Sequence, residues 1–126
     1  MQEYRVTVDS QGTVRWHDLK TDKFHRVDGP AVEYTDGTKS WHLNGKLHRV
    51  DGPAIEFSNG GREWYLNGNL HRVDGPAIEH ANGYKEWWLN DVEYNEEQFN
   101  AKINSSSCEG REIEIDGKIY VLRLKE

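Results

Sequence analysis

Three copies of one heptapeptide, HRVDGPA, decide the fold of this chain: they cover residues 25–31, 48–54 and 71–77. Successive copies start 23 residues apart. A fixed period of this length indicates a repeat architecture, in which each unit is one supersecondary piece that stacks on its neighbours to bury its apolar side. We interpret residues that recur in every unit as structural, and residues that differ between units as the better candidates for function.

The residues around the motif predict strands and tight turns. Asp36-Gly37 and Asn44-Gly45 separate alternating segments in the first unit, and similar pairs stand at the matching places of the next two. Such pairs are strong hairpin signals because their residues accept positive φ. The sequence therefore predicts a mainly β fold, a single antiparallel meander sheet of tandem 23-residue hairpin repeats.

If both turns are two-residue loops, the pairing of the strands follows. Val32 then faces Trp41, and Trp41 faces His48, so that side chains alternate between two faces. Face one is predicted to be buried and aromatic, with Val32, Ile55, Ile78, Tyr34, Phe57, His80, Trp41, Trp64, Trp87 and the leucines at 43, 66 and 89. Face two carries repeated Ala, Glu and Arg and one position that changes from unit to unit. On this face Arg26, Arg49 and Arg72 are predicted to pair across strands with Glu33, Glu56 and Glu79.

The array has different ends. Residues 1–24 are predicted to be a degenerate capping repeat, 25–93 the three HRVDGPA repeats, and 94–126 a C-terminal cap within the same single domain (1–126). In the cap, Asn95 and Gln98 form a capping-box pattern for a short helix ending near Ile103. A polar loop is expected at 104–110, and a terminal hairpin turns at Asp116-Gly117.

Composition limits the functional classes. The net charge is −6 over 126 residues, which disfavours binding to nucleic acid or to an anionic membrane and permits a basic protein partner. The lone Cys108 cannot form an internal disulfide, and no apolar run reaches the roughly 20 residues of a membrane span. No signal-peptide pattern is evident, so a cytoplasmic location is predicted.

The position that changes between units is the predicted partner-binding strip. Exposed aromatic side chains are frequent hot spots of protein interfaces, and an acidic cluster nearby would suit a basic surface on the partner. The candidate residues are His42, Tyr65, Trp88, Glu93, Glu96 and Glu97.

Two alternatives remain open. The repeated His-Arg-Asp loops could bind a small anionic ligand such as a nucleotide, and the Trp41/Trp64/Trp87 face could drive homo-oligomerisation. We predict no metal, no cofactor and no catalytic residues, because no nucleophile, phosphate-loop or paired-carboxylate pattern stands out. Residues of the alternative ligand site are His25, Arg26, His48, Arg49, His71 and Arg72.

The segment NGKLHRVDGPAIEFSNGGREWYLNGN, residues 44–69, resembles the MORN-type β-hairpin repeat and is more similar to tandem LHRxDGPA proteins of tailed phages and other large DNA viruses. The resemblance covers residues 25–93 well, 1–24 weakly and 94–126 hardly at all. It implies a non-catalytic scaffold and, for a phage protein, an inhibitor that occludes a host or defence protein in the host cytoplasm. The usual Tyr-x-Gly signature is mostly replaced by Trp-x-Leu-Asn-Gly, so lipid binding is not carried over.

Overall fold

The computed structural model describes residues 3–107, with side chains through Ser105. This part of the chain contains thirteen short strands and one helix. In chain order they are β1 (Tyr4–Val8), β2 (Val14–Asp18), β3 (Val32–Glu33), β4 (Lys39–Ser40), β5 (His42–Leu43), β6 (Lys46–Leu47), β7 (Ile55–Glu56), β8 (Arg62–Glu63), β9 (Tyr65–Leu66), β10 (Asn69–Leu70), β11 (Ile78–Glu79), β12 (Lys85–Leu89), β13 (Val92–Tyr94) and α1 (Glu96–Ser107).

Nine of these strands form one large antiparallel sheet in the order β1-β2-β3-β4-β7-β8-β11-β12-β13. The prediction of a mainly β, meander-like sheet followed by a short helix is therefore confirmed. Two small sheets, β5–β6 and β9–β10, lie outside the large one, so in the first two units the end of the second predicted strand and the third strand leave it, whereas β13 of the third unit stays in it. The predicted hairpin around 116–117 and Cys108 lie outside the described residues.

The second turn of each unit has the predicted two-residue form. His42 pairs with Leu47 and Leu43 with Lys46, which leaves Asn44 and Gly45 as the turn. Both turn residues have positive φ, 53° and 84°. Such a turn matches the twist of the strands that it joins. The same conformation recurs at Asn67-Gly68 and at Asn90-Asp91.

The first turn of each unit is longer than predicted, and the register derived from it was wrong. Val32 pairs with Ser40 instead of Trp41. The amide of Tyr34 donates to the carbonyl of Thr38, and the amide of Gly37 donates back to Tyr34. Only Gly37 has positive φ, 96°. This is a three-residue loop, a tight turn followed by a left-handed glycine, which the sequence pair Asp-Gly does not distinguish from the two-residue form.

The shifted register changes which side chains are buried. Tyr34 and Phe57 are 45% and 38% exposed, and His80 is also exposed, so face one is not the continuous buried face that was predicted. The buried core of the sheet is made of small and branched residues, while the tryptophans are only half-buried. Its members are Ala31, Val32, Ala54, Ala77 and Leu89.

The N-terminal hairpin β1–β2 has the same three-residue turn as the later units. The amide of Asp9 donates to the carbonyl of Thr13, and Gly12 has φ 93°. Arg15 of β2 pairs with Val32 of β3, which joins this hairpin to the first HRVDGPA unit. The degenerate sequence of 1–24 thus still forms the hairpin of a unit.

On a larger scale than the repeat units, the chain divides into two parts, the first ending at Glu93 and the second beginning at Tyr94. Near the start of the second part lies the predicted capping box: the amide of Gln98 donates to Asn95 Oδ1 at 2.7 Å, and the amide of Asn95 donates to Gln98 Oε1 at 3.0 Å. Helix α1 continues to Ser107, so the predicted end near Ile103 and the predicted loop over 104–107 were wrong. Serine has an acceptable helix propensity, and no glycine or proline interrupts the chain there.

Candidate functional site

Each motif arginine stacks on a tryptophan of the preceding unit and binds acceptors of its own unit. The Cζ of Arg49 lies 3.8 Å from the ring centroid of Trp41. Its Nε donates to Asp51 Oδ1 at 3.1 Å, and its Nη1 donates to the Pro53 carbonyl at 3.1 Å and to Glu56 Oε2 at 2.9 Å. The predicted arginine–glutamate pairing is therefore present. The same contacts recur for Arg26 on Trp16 and for Arg72 on Trp64.

The glycine and alanine of the motif leave room for this arginine and for the neighbouring strand. A Cβ atom on Gly52 would lie 3.0 Å from Arg49 Cζ, closer than ordinary van der Waals contact. Ala54 is 0% exposed; its amide donates to the carbonyl of Glu63, and its carbonyl accepts from the amide of Trp41. Larger side chains at these two positions would displace the arginine or the strand.

The motif histidine joins the start of each unit to the second turn of the same unit. Nδ1 of His48 accepts a hydrogen bond from the backbone amide of Asn67 at 2.9 Å. Accepting at Nδ1 requires that this nitrogen carries no proton, so a neutral His48 holds its proton on Nε2. The equivalent bonds join Asn44 to His25 at 2.9 Å and Asn90 to His71 at 3.0 Å.

Two clefts open between successive Arg-Val-Asp loops. Cleft 1, of 520 Å³, lies between the loops at 26–29 and 49–51, and Trp41, Leu43 and His48 also line it. Cleft 2, of 390 Å³, lies between the loops at 49–52 and 72–74. Its further lining residues are the equivalent Trp64, Leu66 and His71. The sequence repeat thus builds the same cleft twice, with apolar and charged residues in its lining.

The motif valines stand exposed on the loops that form the walls of the clefts. Val27, Val50 and Val73 are 66%, 83% and 56% exposed, and Val50 belongs to both clefts. The aspartates that follow them have side chains that are 78–85% exposed. The motif valine therefore departs from the interpretation that recurring residues hold the unit together.

The predicted strip of His42, Tyr65 and Trp88 lies outside both clefts. All three residues are half-buried, and each is hydrogen-bonded to the side chain two residues before it. Burial, together with the hydrogen bond to Glu63, raises the pKa of Tyr65. The partner of His42 is Ser40 at 3.0 Å, that of Tyr65 is Glu63 at 2.8 Å and that of Trp88 is Glu86 at 3.1 Å. The hydrogen-bonded pair at this place is therefore Ser/His in one unit, Glu/Tyr in the next and Glu/Trp in the third.

The acidic residues of the predicted binding site are all exposed. Glu93 is exposed on β13, and Glu96 and Glu97 are exposed in the first turn of α1. Acidic residues are favourable there because they complement the helix dipole. Of the predicted oligomerisation face, Trp41 and Trp64 each have one ring face covered by a motif arginine, whereas no arginine of residues 3–107 lies over Trp87.

The burial of His42 makes stability depend on pH. Burial lowers the pKa of His42 below its ordinary value of 6.5, and its Nδ1 is buried without a partner among the described residues. The folded state therefore binds this proton more weakly than the unfolded state, and the free energy of unfolding falls as the pH drops below about 6.5. His17 acts in the same direction, because burial lowers its pKa as well.

Replacing Ser40 and His42 with the residue types found at the same places of the next unit, Glu63 and Tyr65, should make the stability of the chain less sensitive to acid. We expect the double variant Ser40→Glu/His42→Tyr to lose less stability between pH 7.5 and 5.5 than the wild-type chain, since His42 no longer titrates. Urea unfolding midpoints at several pH values measure the difference, and the slope is the readout even if the variant is less stable overall. Parallel pH curves for the two proteins would contradict the assignment to His42.

Comparison with protein-family models, with curated proteins and with solved structures finds no match. Within residues 3–107, no group of three or more His, Cys, Asp or Glu residues is arranged to hold a metal ion. In the same range, no helix combines the length and the apolarity needed to cross a bilayer.

Sequence reasoning predicted the arginine–glutamate pairing of the motif but missed its other recurring contacts and the clefts. The available signal was the valine between Arg and Asp, which is apolar and identical in all three copies. An alternating pattern assigns such a residue to a strand face, and only the loop geometry shows that it is exposed beside a cleft. The sequence analysis predicted a buried tryptophan face, whereas Trp41 and Trp64 are half-buried and each is covered on one ring face by a motif arginine.

Proposed function

We propose that this chain is a non-catalytic protein-binding module whose two clefts receive apolar side chains of a partner polypeptide. The observation that carries the proposal is the row of exposed valines on the cleft walls, Val27, Val50 and Val73. Exposed apolar residues grouped beside a cleft are typical of interaction surfaces. The hydrogen bonds of the motif hold these loops in place, so the surface is preformed and binding needs little ordering of the module.

The contacts of the motif favour a polypeptide over a small anion. The guanidinium of Arg49 already binds the carboxylates of Asp51 and Glu56 and stacks on Trp41. A nucleotide phosphate would have to displace these partners. The arginine cover on Trp41 and Trp64 likewise leaves less indole surface for self-association through that face. A host-directed viral inhibitor remains the predicted biological setting of such a module.

The strip of His42, Tyr65 and Trp88 is a second candidate surface on the same module. Tyrosine and tryptophan side chains contribute strongly to interfaces when a partner buries them fully. These side chains are half-buried in the isolated chain, so each still has area to offer. One experiment with variants on both surfaces separates the two.

The test is a selection of binders from a displayed library of random peptides on the immobilised full-length chain. We expect enriched peptides whose binding falls at least about tenfold, roughly 1.4 kcal/mol, with Val50→Lys. Val8→Lys is the matched control, because Val8 is 65% exposed on β1 and outside both clefts. Peptides lost with Tyr65→Ala and kept with Val50→Lys would move the site to the strip, and a selection without specific binders would overturn the proposal.

A further inference from the structure

We infer that the polypeptide bound by clefts 1 and 2 is proline-rich, in the polyproline II conformation, with apolar residues at positions i and i+3 and a basic residue beside them. This inference rests on the proposed function and adds the conformation and composition of the partner. Three properties of the clefts support it: their spacing, their free hydrogen-bond donors and their charge.

The spacing of the clefts follows from the order of the sheet. Trp41 comes directly after β4 and Trp64 directly after β8, and these strands are two positions apart in the large sheet. Neighbouring strands lie about 4.8 Å apart, so equivalent points of the two clefts are about 9.6 Å apart. A bound polypeptide must therefore present one side chain about every 9.6 Å on the same side.

A polyproline II helix meets this spacing most closely. It has three residues per turn and rises about 3.1 Å per residue, so residues i and i+3 lie on one side about 9.3 Å apart. In a β-strand, residues on one side are about 6.6 Å or 13 Å apart, because side chains alternate between faces. In an α-helix, residues i and i+7 are about 10.5 Å apart, which is the next closest fit.

The polar groups of the clefts distinguish between these two conformations. Because Nδ1 of His48 accepts the Asn67 amide, the nitrogen left to a ligand in cleft 1 is Nε2, a donor when the ring is neutral. His71, whose Nδ1 accepts the Asn90 amide, repeats this donor in cleft 2. The carbonyls of polyproline II make no internal hydrogen bonds, whereas those of an α-helix do.

The charge around the clefts favours a basic ligand. Each cleft is lined by two motif arginines and two motif aspartates. The arginines are 20–22% exposed and already paired with carboxylates, whereas the aspartates are 78–85% exposed, so the accessible charge is negative. The aspartates stand at the rims of the clefts, within reach of a lysine or arginine next to an apolar ligand residue.

Fluorescence polarisation with three labelled peptides tests the inference on the full-length chain. The first is proline-rich with leucines at i and i+3 and a flanking arginine, the second has the same composition with leucines at i and i+4, and the third is an alanine-based helix with leucines at i and i+7. We expect the first to bind at least about tenfold tighter than either other peptide. Val50→Lys should weaken it by a similar factor, and Val8→Lys should not.

Equal binding of the first two peptides, or tighter binding of the helical one, would overturn the inference. If the helical peptide binds and Val50→Lys abolishes that binding, the proposed function stands and only the polyproline II conformation falls. If no peptide of the three binds and the displayed library also yields no binder that depends on Val50, the inference and the proposed function fall together.

Discussion

Replacing Arg49 with alanine is expected to lower the free energy of unfolding by about 2–4 kcal/mol. Stacking of a guanidinium on an indole contributes about 0.5–2 kcal/mol, and a hydrogen bond to a charged group about 1.5–3 kcal/mol. The side chain of Arg49 is only 22% exposed, so solvent replaces few of these contacts. Removal also leaves the Pro53 carbonyl without this donor and uncovers Trp41.

Urea unfolding of three variants measures this effect. Arg62→Ala is the matched control: its side chain is 56% exposed, and its ion pair to Glu79 is 3.7 Å long. Exposed pairs of this kind contribute between about 0 and 1 kcal/mol. Arg49→Lys should recover only part of the loss, because a lysine cannot stack and bind several acceptors in the same fixed geometry. Equal stabilities of Arg49→Ala and Arg62→Ala would contradict the structural role of the motif arginine.

Ala54→Leu is expected to lower the free energy of unfolding by about 3 kcal/mol. A cost larger than this would prevent the chain from folding. Overpacking of a closely packed site typically costs about 1–3 kcal/mol and sometimes more. Ala54 is 0% exposed, and hydrogen bonds hold its backbone to two neighbouring strand segments, through Trp41 and Glu63. The strands therefore cannot move apart to admit a leucine without breaking the ladder.

Ala81→Leu is the control for this substitution. Ala81 is exposed in the turn of the β11–β12 hairpin, where a longer side chain has room, and we expect a change within about 0.5 kcal/mol. Circular dichroism and urea midpoints distinguish a folded, weakened chain from an unfolded one. If both leucine variants unfold at the same urea concentration as the wild type, the recurring alanine is not a packing constraint.

These substitutions also separate stability from binding. Arg49 and Val50 are adjacent, and both line clefts 1 and 2. Arg49→Ala removes contacts that hold the loops, so both stability and peptide binding should fall. Val50 is 83% exposed, so Val50→Lys should change binding and leave the unfolding midpoint nearly constant. A module with a preformed binding surface is expected to behave in this way.

The residues that the three units share explain how much of the fold could be predicted. Asn-Gly pairs and alternating strands indicated the hairpins, and the heptapeptide period indicated that neighbouring units make the same contacts. The first turn could not be assigned, because Asp36-Gly37 suits a two-residue loop as well as the last two positions of a three-residue loop. One residue of difference there moves Tyr34 and Phe57 from the predicted core to the surface.

The candidate site was predictable to a smaller degree. Repetition correctly suggested that His48 and Arg49 serve the structure, and Arg–Glu pairing was among the expectations. It did not indicate that Arg49 covers the tryptophan of the unit before, since that contact depends on the path of the chain after the β5–β6 hairpin, where Trp41 lies opposite His48. The clefts depend on how successive Arg-Val-Asp loops stand beside each other.

The sequence by itself determined the class of fold, the 23-residue unit, the two-residue second turn of each unit and the start of the helix after Asn95, because these depend on local backbone preferences and on periodicity. Only the tertiary structure decided the register of the first turn, the arginine cover on Trp41 and Trp64 and the exposure of Val27, Val50 and Val73. Those properties depend on contacts between successive repeat units, and the packing of the whole sheet determines these contacts.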